Sequence, residues 1–382
     1  MKILIYDAYA KIRHDFPRGG STRSLIDFLK MRDLNSQQEY YFLTNQMNKK
    51  YYLKHIQPLG IKELYIKFPK ALLKYGKVYE KNLFSKLLLL LFIMPSFNLK
   101  VAFYLKKYKI DKVVGNELRA SLTIGIATFI ANKELTTFIR SDYGLTSKMA
   151  KICLGISSKV IAISEGIYDL LGENYKNKTK IINESIDIDN FLDERKTKIK
   201  SNDEPIKIVN IANISLYKNQ ITLVKAINEV IKDYRNVKLY IIGENFDNNC
   251  KKEMLKFIND NKLEDYIIFT GFQTDIKKYL SECDIYVQPS FNEGLGRSII
   301  EAYLFEIPVI GSDIPGIKSI VENNVNGYLF DSKNYKQLYS RIMELIIDND
   351  KRLTFGKNGR ELVYEEFNLK KNVKKIENFI LE

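Results

Sequence analysis

Ser290-Phe291-Asn292-Glu293-Gly294-Leu295-Gly296-Arg297-Ser298-Ile299-Ile300-Glu301-Ala302 is the stretch on which the fold of this chain turns. Ahead of it runs Asp284-Ile285-Tyr286-Val287-Gln288-Pro289, a short apolar segment closed by proline, which is the pattern of a buried strand. Behind it, Ile299, Ile300, Tyr303 and Leu304 recur at helical spacing. A strand, a glycine turn and a helix start together present unpaired backbone N–H groups and a positive dipole end to an anion. The dipole contributes only about 0.3–1 kcal/mol, so a tight phosphate site at this turn needs added cations. Glu293 stands in the turn and Glu301 eight residues further on. At about 100° per residue the two acids do not stack on one face, so they would meet different parts of a ligand. The alternative role for Glu301 is an i,i+4 ion pair with Arg297, worth a few tenths of a kcal/mol on a solvated helix.

Outward from this stretch, the chain of 382 residues is too long for one ordinary core and suggests two α/β domains. Cys153, Cys250 and Cys283 lie far apart, with no paired spacing for zinc or a disulfide framework, which favours a reduced, cytosolic setting. Met1-Lys2-Ile3-Leu4-Ile5-Tyr6-Asp7 reads as a strand, its apolar run being too short for a signal peptide. The longest apolar run, Leu87 to Met94, has eight residues, against about 20 needed to span a bilayer. No membrane crossing is expected.

Charge is uneven. Residues 1–182 hold 31 Lys and Arg against 14 Asp and Glu, a net of +17, whereas the remainder is slightly acidic. A basic half of this kind either faces an anionic partner or is a solvated surface. Acidic lipid headgroups, lipid-linked pyrophosphates and nucleic acid are the candidate partners. Within 69–107, Leu72, Tyr75, Tyr79, Leu83 and Leu87 fall on one side of a helical wheel, and Lys70, Lys74, Lys77 and Lys81 fall opposite. That is the form of a basic amphipathic helix lying on an anionic membrane, or of an ordinary helix with its apolar face on the core. Near the start, Pro17-Arg18-Gly19-Gly20-Ser21 leads into Leu25, Ile26, Phe28 and Leu29 at helical spacing. A glycine pair at such a turn lets a ligand approach the backbone closely. The absence of G-x-G-x-x-G argues against a nicotinamide enzyme.

The Glu293-to-Glu301 spacing resembles the Glu-x7-Glu signature of retaining glycosyltransferases of family 4. The resemblance continues through Pro308-Val309-Ile310-Gly311-Ser312-Asp313-Ile314-Pro315-Gly316 and Asn326-Gly327-Tyr328-Leu329-Phe330. It implies the GT-B fold, α/β with two Rossmann-like domains facing across a cleft. The expected limits are 1–192 for the acceptor-side domain, 193–205 for a charged linker and 206–368 for the nucleotide-sugar domain, with 369–382 packing back on the first. Gly19 and Gly20 would border the donor phosphates. Lys218 matches the family lysine that clamps the donor pyrophosphate, while Asn213 stands where the family has an arginine. The phosphate site is then one cation short, and Arg297 is the candidate to make up the charge. Arg140 occupies the strand end where family members often carry a histidine. Phe272 and Gln273 would sit near the base, Gly294, Leu295 and Gly296 at the pyrophosphate, Glu301 on the ribose hydroxyls and Glu293 on the donor sugar. Glu293, Lys218 and Arg140 are thus the expected catalytic residues. Asp187-Ile188-Asp189 spells the D-x-D metal motif of the other major glycosyltransferase fold and is read here as coincidence.

The resemblance therefore implies sugar transfer from a nucleotide-diphosphate donor to a saccharide or lipid-linked saccharide, in bacterial surface polysaccharide synthesis, without metal or other cofactor. The unpaired cysteines and the basic first half suggest an enzyme in the cytoplasm, peripheral on the inner membrane face. Two other classes compete. An epimerase or phosphorylase on the same fold would need its own acid–base group or pyridoxal lysine. A basic nucleic-acid-binding protein would interleave its cations with a recognised motif, and none is seen, so no nucleic-acid partner is expected.

Overall fold

The opening apolar run forms β1, Lys2–Asp7, and Ile3 to Tyr6 are all buried. A strand apolar on both faces belongs in the middle of a parallel sheet covered by helices, and β1 occupies that place. The structure is a computed structural model that describes residues 1–8, 20–33, 37–69, 92–141, 145, 147–192 and 204–382. Gly19, the lysine-bearing stretch 70–91 of the expected amphipathic segment, and 193–203 of the expected linker lie outside the described residues.

The described residues divide into two compact units. The first comprises Met1–Asn183 and Leu369–Glu382, the second Glu184–Asn368. In the first, β1 is joined by β2 (Glu39–Asn45), β3 (Lys62–Ile66), β4 (Lys112–Asn116), β5 (Glu134–Ile139), β6 (Lys159–Ala162) and β7 (Thr179–Ile181). They form a parallel sheet in the order β3-β2-β1-β4-β5-β6-β7, with Ile5 level with both Phe42 and Val114. Strand order reverses between β1 and β4, so the crevice outside their carboxyl ends, at Asp7 and Asn116, is where such a sheet takes its ligands. Helix α1 (Gly20–Met31) packs with the terminal helix Leu369–Leu381. Tyr40 donates to Glu377 Oε1 at 2.8 Å and Lys159 to the carbonyl of Phe379 at 3.1 Å, tying the chain's end to this unit. Helices α2 (Met94–Lys107), α3 (Leu118–Ile130) and α4 (Lys148–Ile156) lie side by side, α3 in the middle. Right-handed crossovers put them on the sheet face opposite α1.

The second unit repeats the plan with β8 (Ile206–Ile211), β9 (Val237–Ile242), β10 (Ile267–Gly271), β11 (Ile285–Gln288), β12 (Val309–Ser312) and β13 (Gly327–Phe330). All are parallel, in the order β10-β9-β8-β11-β12-β13, and the order reverses between β8 and β11. Helix α5 (Gln220–Asp233) buries Leu223 and Ile227 against Ile208, Leu239, Val287 and Ile310. Each such side chain contributes about 1.5–3 kcal/mol by leaving water. That fixes β8 and β11 as neighbours although their first residues, Ile206 and Ile285, are 79 positions apart.

Residues 184–192, expected with the first domain, fall in the second unit. There Ile186 N–H donates to the carbonyl of Phe367 at 3.0 Å, and Phe191 meets Phe305 edge-on with centroids 6.0 Å apart. Asp187 of the D-x-D triplet caps the short helix Ile188–Phe191, its Oδ1 accepting from Asn190 N–H at 3.4 Å. That is a structural use of the residue.

Candidate active site

Strand β11 delivers a chain of polar side chains to its carboxyl end. Tyr286 OH donates to Gln288 Oε1 at 2.7 Å, and Gln288 Nε2 donates to Ser290 Oγ at 2.9 Å and to Glu293 Oε1 at 2.8 Å. Ser290 Oγ also donates to Glu293 Oε1, at 3.1 Å. The same carboxylate oxygen takes a hydrogen bond and ion pair from the ammonium of Lys218. Burial raises the Tyr286 hydroxyl far above the ordinary phenol range, so it stays a proton donor to Gln288. Glu293 is therefore an oriented carboxylate, aimed by a strand and charge-compensated by a lysine from another element.

Lys218 is placed by its neighbour. Asn219 takes a left-handed conformation, φ +53°, which asparagine tolerates better than most residues. Its Nδ2 donates to the carbonyls of Pro289 at 2.9 Å and Ser332 at 2.8 Å, and Thr222 donates to its Oδ1 at 2.9 Å. Phe291 N–H donates to the carbonyl of Tyr217 at 2.8 Å, a second tie between the loop before α5 and the Glu293 turn. Sequence reasoning missed Asn219, Gln288 and Ser290. One signal was available for Asn219: asparagine is among the few residues that tolerate a left-handed turn.

Past the turn, Gly296 has φ +91° and opens α6 (Arg297–Leu304), which no side chain caps. The positive dipole end of this helix therefore lies at the turn, where it favours an anion. Gly316 touches the turn from behind. A methyl group there would overlap the carbonyl oxygen of Glu293 and lie 2.9 Å from the carbonyl carbon of Gly294. Gly316→Ala is expected to push the turn off position, lowering turnover more than tenfold, since a misplacement of about 1 Å costs up to 10²-fold. Its unfolding free energy should fall by about 1–3 kcal/mol. Wild-type turnover in the variant would show that the position of the turn does not matter.

Glu301, 3% exposed, lies one turn beyond Arg297, and both are nearly buried. Arg297 Nε is 3.6 Å from Glu301 Oε1, and its Nη1 is 3.8 Å from Glu184 Oε1. The guanidinium thus stands between two carboxylates, one from its own helix and one from the segment after β7. Glu184 was not singled out in the sequence, because the pairing spans more than a hundred residues.

The other expected site residues are dispersed. Asn213 Oδ1 accepts from Glu244 N–H at 3.3 Å, and its carbonyl accepts from Gln220 Nε2 at 3.1 Å. Phe272 is exposed after β10, and Gln273 Nε2 donates to the carbonyl of Thr270 at 2.9 Å. Leu295 is buried. In the first unit, Gly20 begins α1, and Arg140 follows β5, one strand away from the strand-order reversal between β1 and β4. Arg140 Nε donates to Asn116 Oδ1 at 2.9 Å, and Asn116 Nδ2 donates to Asp7 Oδ1 at 3.2 Å. Tyr52 donates to Asp7 Oδ2 at 2.5 Å, and the guanidinium of Arg140 lies 4.7 Å from the Phe138 ring centroid. A relay anchored on a buried carboxylate holds Arg140 at the carboxyl ends of β1, β4 and β5. Among the described residues, no three His, Cys, Asp or Glu side chains cluster as a metal site, and no helix is long and apolar enough to cross a membrane.

Two doubly wound units, one carrying an acid-and-lysine turn ahead of α6, have the GT-B architecture. Residues 192–362, a little under half of the chain and nearly all of the second unit, match the family described as glycosyl transferases group 1. The chain is a glycosyltransferase. It is 26% identical over 271 residues to the capsular polysaccharide biosynthesis glycosyltransferase CapM of Staphylococcus aureus, covering 65% of this chain and 70% of that one. It is 32% identical over 146 residues to the poly(ribitol-phosphate) alpha-N-acetylglucosaminyltransferase of Staphylococcus aureus, covering 38% of this chain and 29% of that one. In fold it resembles Anabaena HepE, solved in complex with UDP, with TM-score 0.78, 20% identity and 99% of each chain covered.

Proposed function

We propose that the enzyme is a retaining glycosyltransferase of the family-4 kind, moving a sugar from a UDP-activated donor to a lipid-linked saccharide during bacterial surface polysaccharide synthesis. The observation that carries this reading is the convergence of Lys218, Glu293 and the start of α6 at the end of β11. Leaving-group departure builds negative charge on the diphosphate, and fixed cations and helix N–H groups stabilise it without reorganising. Lys218 pairs with Glu293, and a diphosphate carries more charge than one carboxylate. An arriving donor therefore competes for the lysine and leaves Glu293 to accept hydroxyls of the transferred sugar. Glu301 binds the ribose hydroxyls, and the departing phosphate takes the acceptor's proton in a front-face displacement. No metal is assigned, because α6 and Lys218 meet the phosphates.

Support for the donor comes from the relatives: HepE was solved with UDP, and also with UDP-glucose. Support for the acceptor comes from the capsular CapM relative and from a Campylobacter jejuni enzyme named as acting on a diphospho-undecaprenol saccharide, 30% identical over 139 residues. The basic first half fits a cytoplasmic enzyme working at an anionic membrane face.

Calorimetric titration with UDP, GDP and ADP, followed by turnover and product anomer assays, tests the reading. Glu301→Gln is expected to weaken UDP binding by about 1–3 kcal/mol, the cost of an unsatisfied buried partner. Glu293→Gln should leave UDP binding within a few-fold and depress turnover. Equal, small effects of both would return the two acids to structural roles, and an inverted product anomer would end the retaining assignment.

A further inference from the structure

The outer face of α2, α3 and α4 lacks the polar side that a surface helix normally carries. Leu99 and Phe103 on α2, Leu122, Ile126 and Phe129 on α3, and Ile152 and Ile156 on α4 recur at i,i+4 and i,i+7 spacing, all exposed. Phe129 is 86% exposed, Phe103 61% and Leu99 58%. The opposite sides of the same helices are already in the core, through Val101, Leu105, Ile124, Ala127 and Leu154. Nine of the twelve exposed large hydrophobic residues described in the first unit lie on these helices or at the entrance to α2. The stripes adjoin: a methyl group on Gly125 of α3 would stand 2.6 Å from Ile156 Cγ2 of α4. A contiguous exposed apolar face of this kind marks a site of association.

Charge says with what. The three helices carry Lys100, Lys106, Lys107, Arg119, Lys148 and Lys151 and no Asp or Glu at all. All five lysines are exposed. Apolar side chains to enter the headgroup boundary, with flexible ammonium groups around them, is the chemistry that adsorbs to an anionic bilayer. We propose that this face seats the enzyme on a membrane rich in anionic lipid. The purpose rests on the lipid-linked acceptor proposed above, whereas the adsorption rests on the helices alone. Of the expected segment 69–107, this face includes the described residues of α2 and its entrance, while the lysines at 70, 74, 77 and 81 lie outside the described residues.

The chain contains no tryptophan, so Phe129→Trp supplies a single fluorescent reporter on the full-length protein. Ile347→Trp, at a 77% exposed position in the second unit, is the control. With phosphatidylglycerol vesicles, the reporter at 129 is expected to shift to the blue and be quenched by brominated lipid. The control should stay unchanged, as should both reporters with phosphatidylcholine alone. Phe103→Ser with Phe129→Ser should lower the floating fraction on phosphatidylglycerol vesicles at least tenfold, roughly the partition value of one buried aromatic side chain. Changing the five lysines to glutamate should abolish flotation. A blue shift that grows with protein concentration in the absence of lipid would make the face a contact between two copies and overturn the proposal. So would a blue shift at every concentration without lipid, which would mean that another part of the chain covers the face. Flotation unaffected by either set of changes would move adsorption elsewhere. If the protein floats as expected but fails to glycosylate a lipid-linked acceptor, only the acceptor reading falls.

Discussion

Replacing Lys218 with alanine is expected to slow turnover by about a hundredfold to a thousandfold, the usual cost of removing one preorganised group that stabilises transition-state charge. Stability should move little. The ammonium is 27% exposed and pairs with a carboxylate that keeps its bonds from Gln288 and Ser290 in the variant. Pairs at such partly exposed sites are worth about 0–1 kcal/mol. The effect on catalysis is large because Asn213 brings no charge where the resembling family has an arginine, and because Arg297 is engaged by Glu184 and Glu301. Lys218 is then the principal side-chain cation at the turn among the described residues. Lys232→Ala, which removes a 59% exposed lysine paired with Glu229 along α5, serves as the control and should be silent. Unchanged turnover and UDP affinity in Lys218→Ala would mean that the diphosphate binds elsewhere.

Arg297→Gln is expected to lower the unfolding free energy by about 3–5 kcal/mol, because it leaves the buried carboxylates of Glu301 and Glu184 without the cation between them. For a domain of this size, that corresponds to a fall in Tm of roughly 10 °C. The double variant Arg297→Gln, Glu301→Gln should recover part of the loss, since the pair acts as a unit and its effects are not additive. Arg297→Lys keeps the charge but not the planar fork, so it should fall between. Scanning calorimetry on the four proteins checks this. If Arg297→Gln melts within a degree or two of wild type, the guanidinium is not the counter-charge of these acids and becomes available to a ligand.

Much of the architecture was legible in the residues themselves. Asp284 to Pro289 reads as a buried strand, and β11 is one, because a short apolar run between turn residues has few other ways to leave water. The turn at Glu293 and the start of α6 are legible for a similar reason: glycine conformations and helical spacing depend on neighbours in the chain. The charge excess of the first half is also a property of sequence alone.

Sheet order decided the rest. Glu293 meets Lys218 because β11 pairs with β8, whose following loop Asn219 staples to Pro289 and Ser332. Asp7 reaches Arg140 through Asn116 only once β1, β4 and β5 lie side by side, and Arg297 finds Glu184 only once the segment after β7 is held by the carbonyl of Phe367. In the helix Leu118–Ile130, only packing shows that Phe129 and Ile126 face outward. Periodicity states which residues share a helix face. Which face the sheet covers, and which is left exposed, is set by long-range packing that no local pattern encodes.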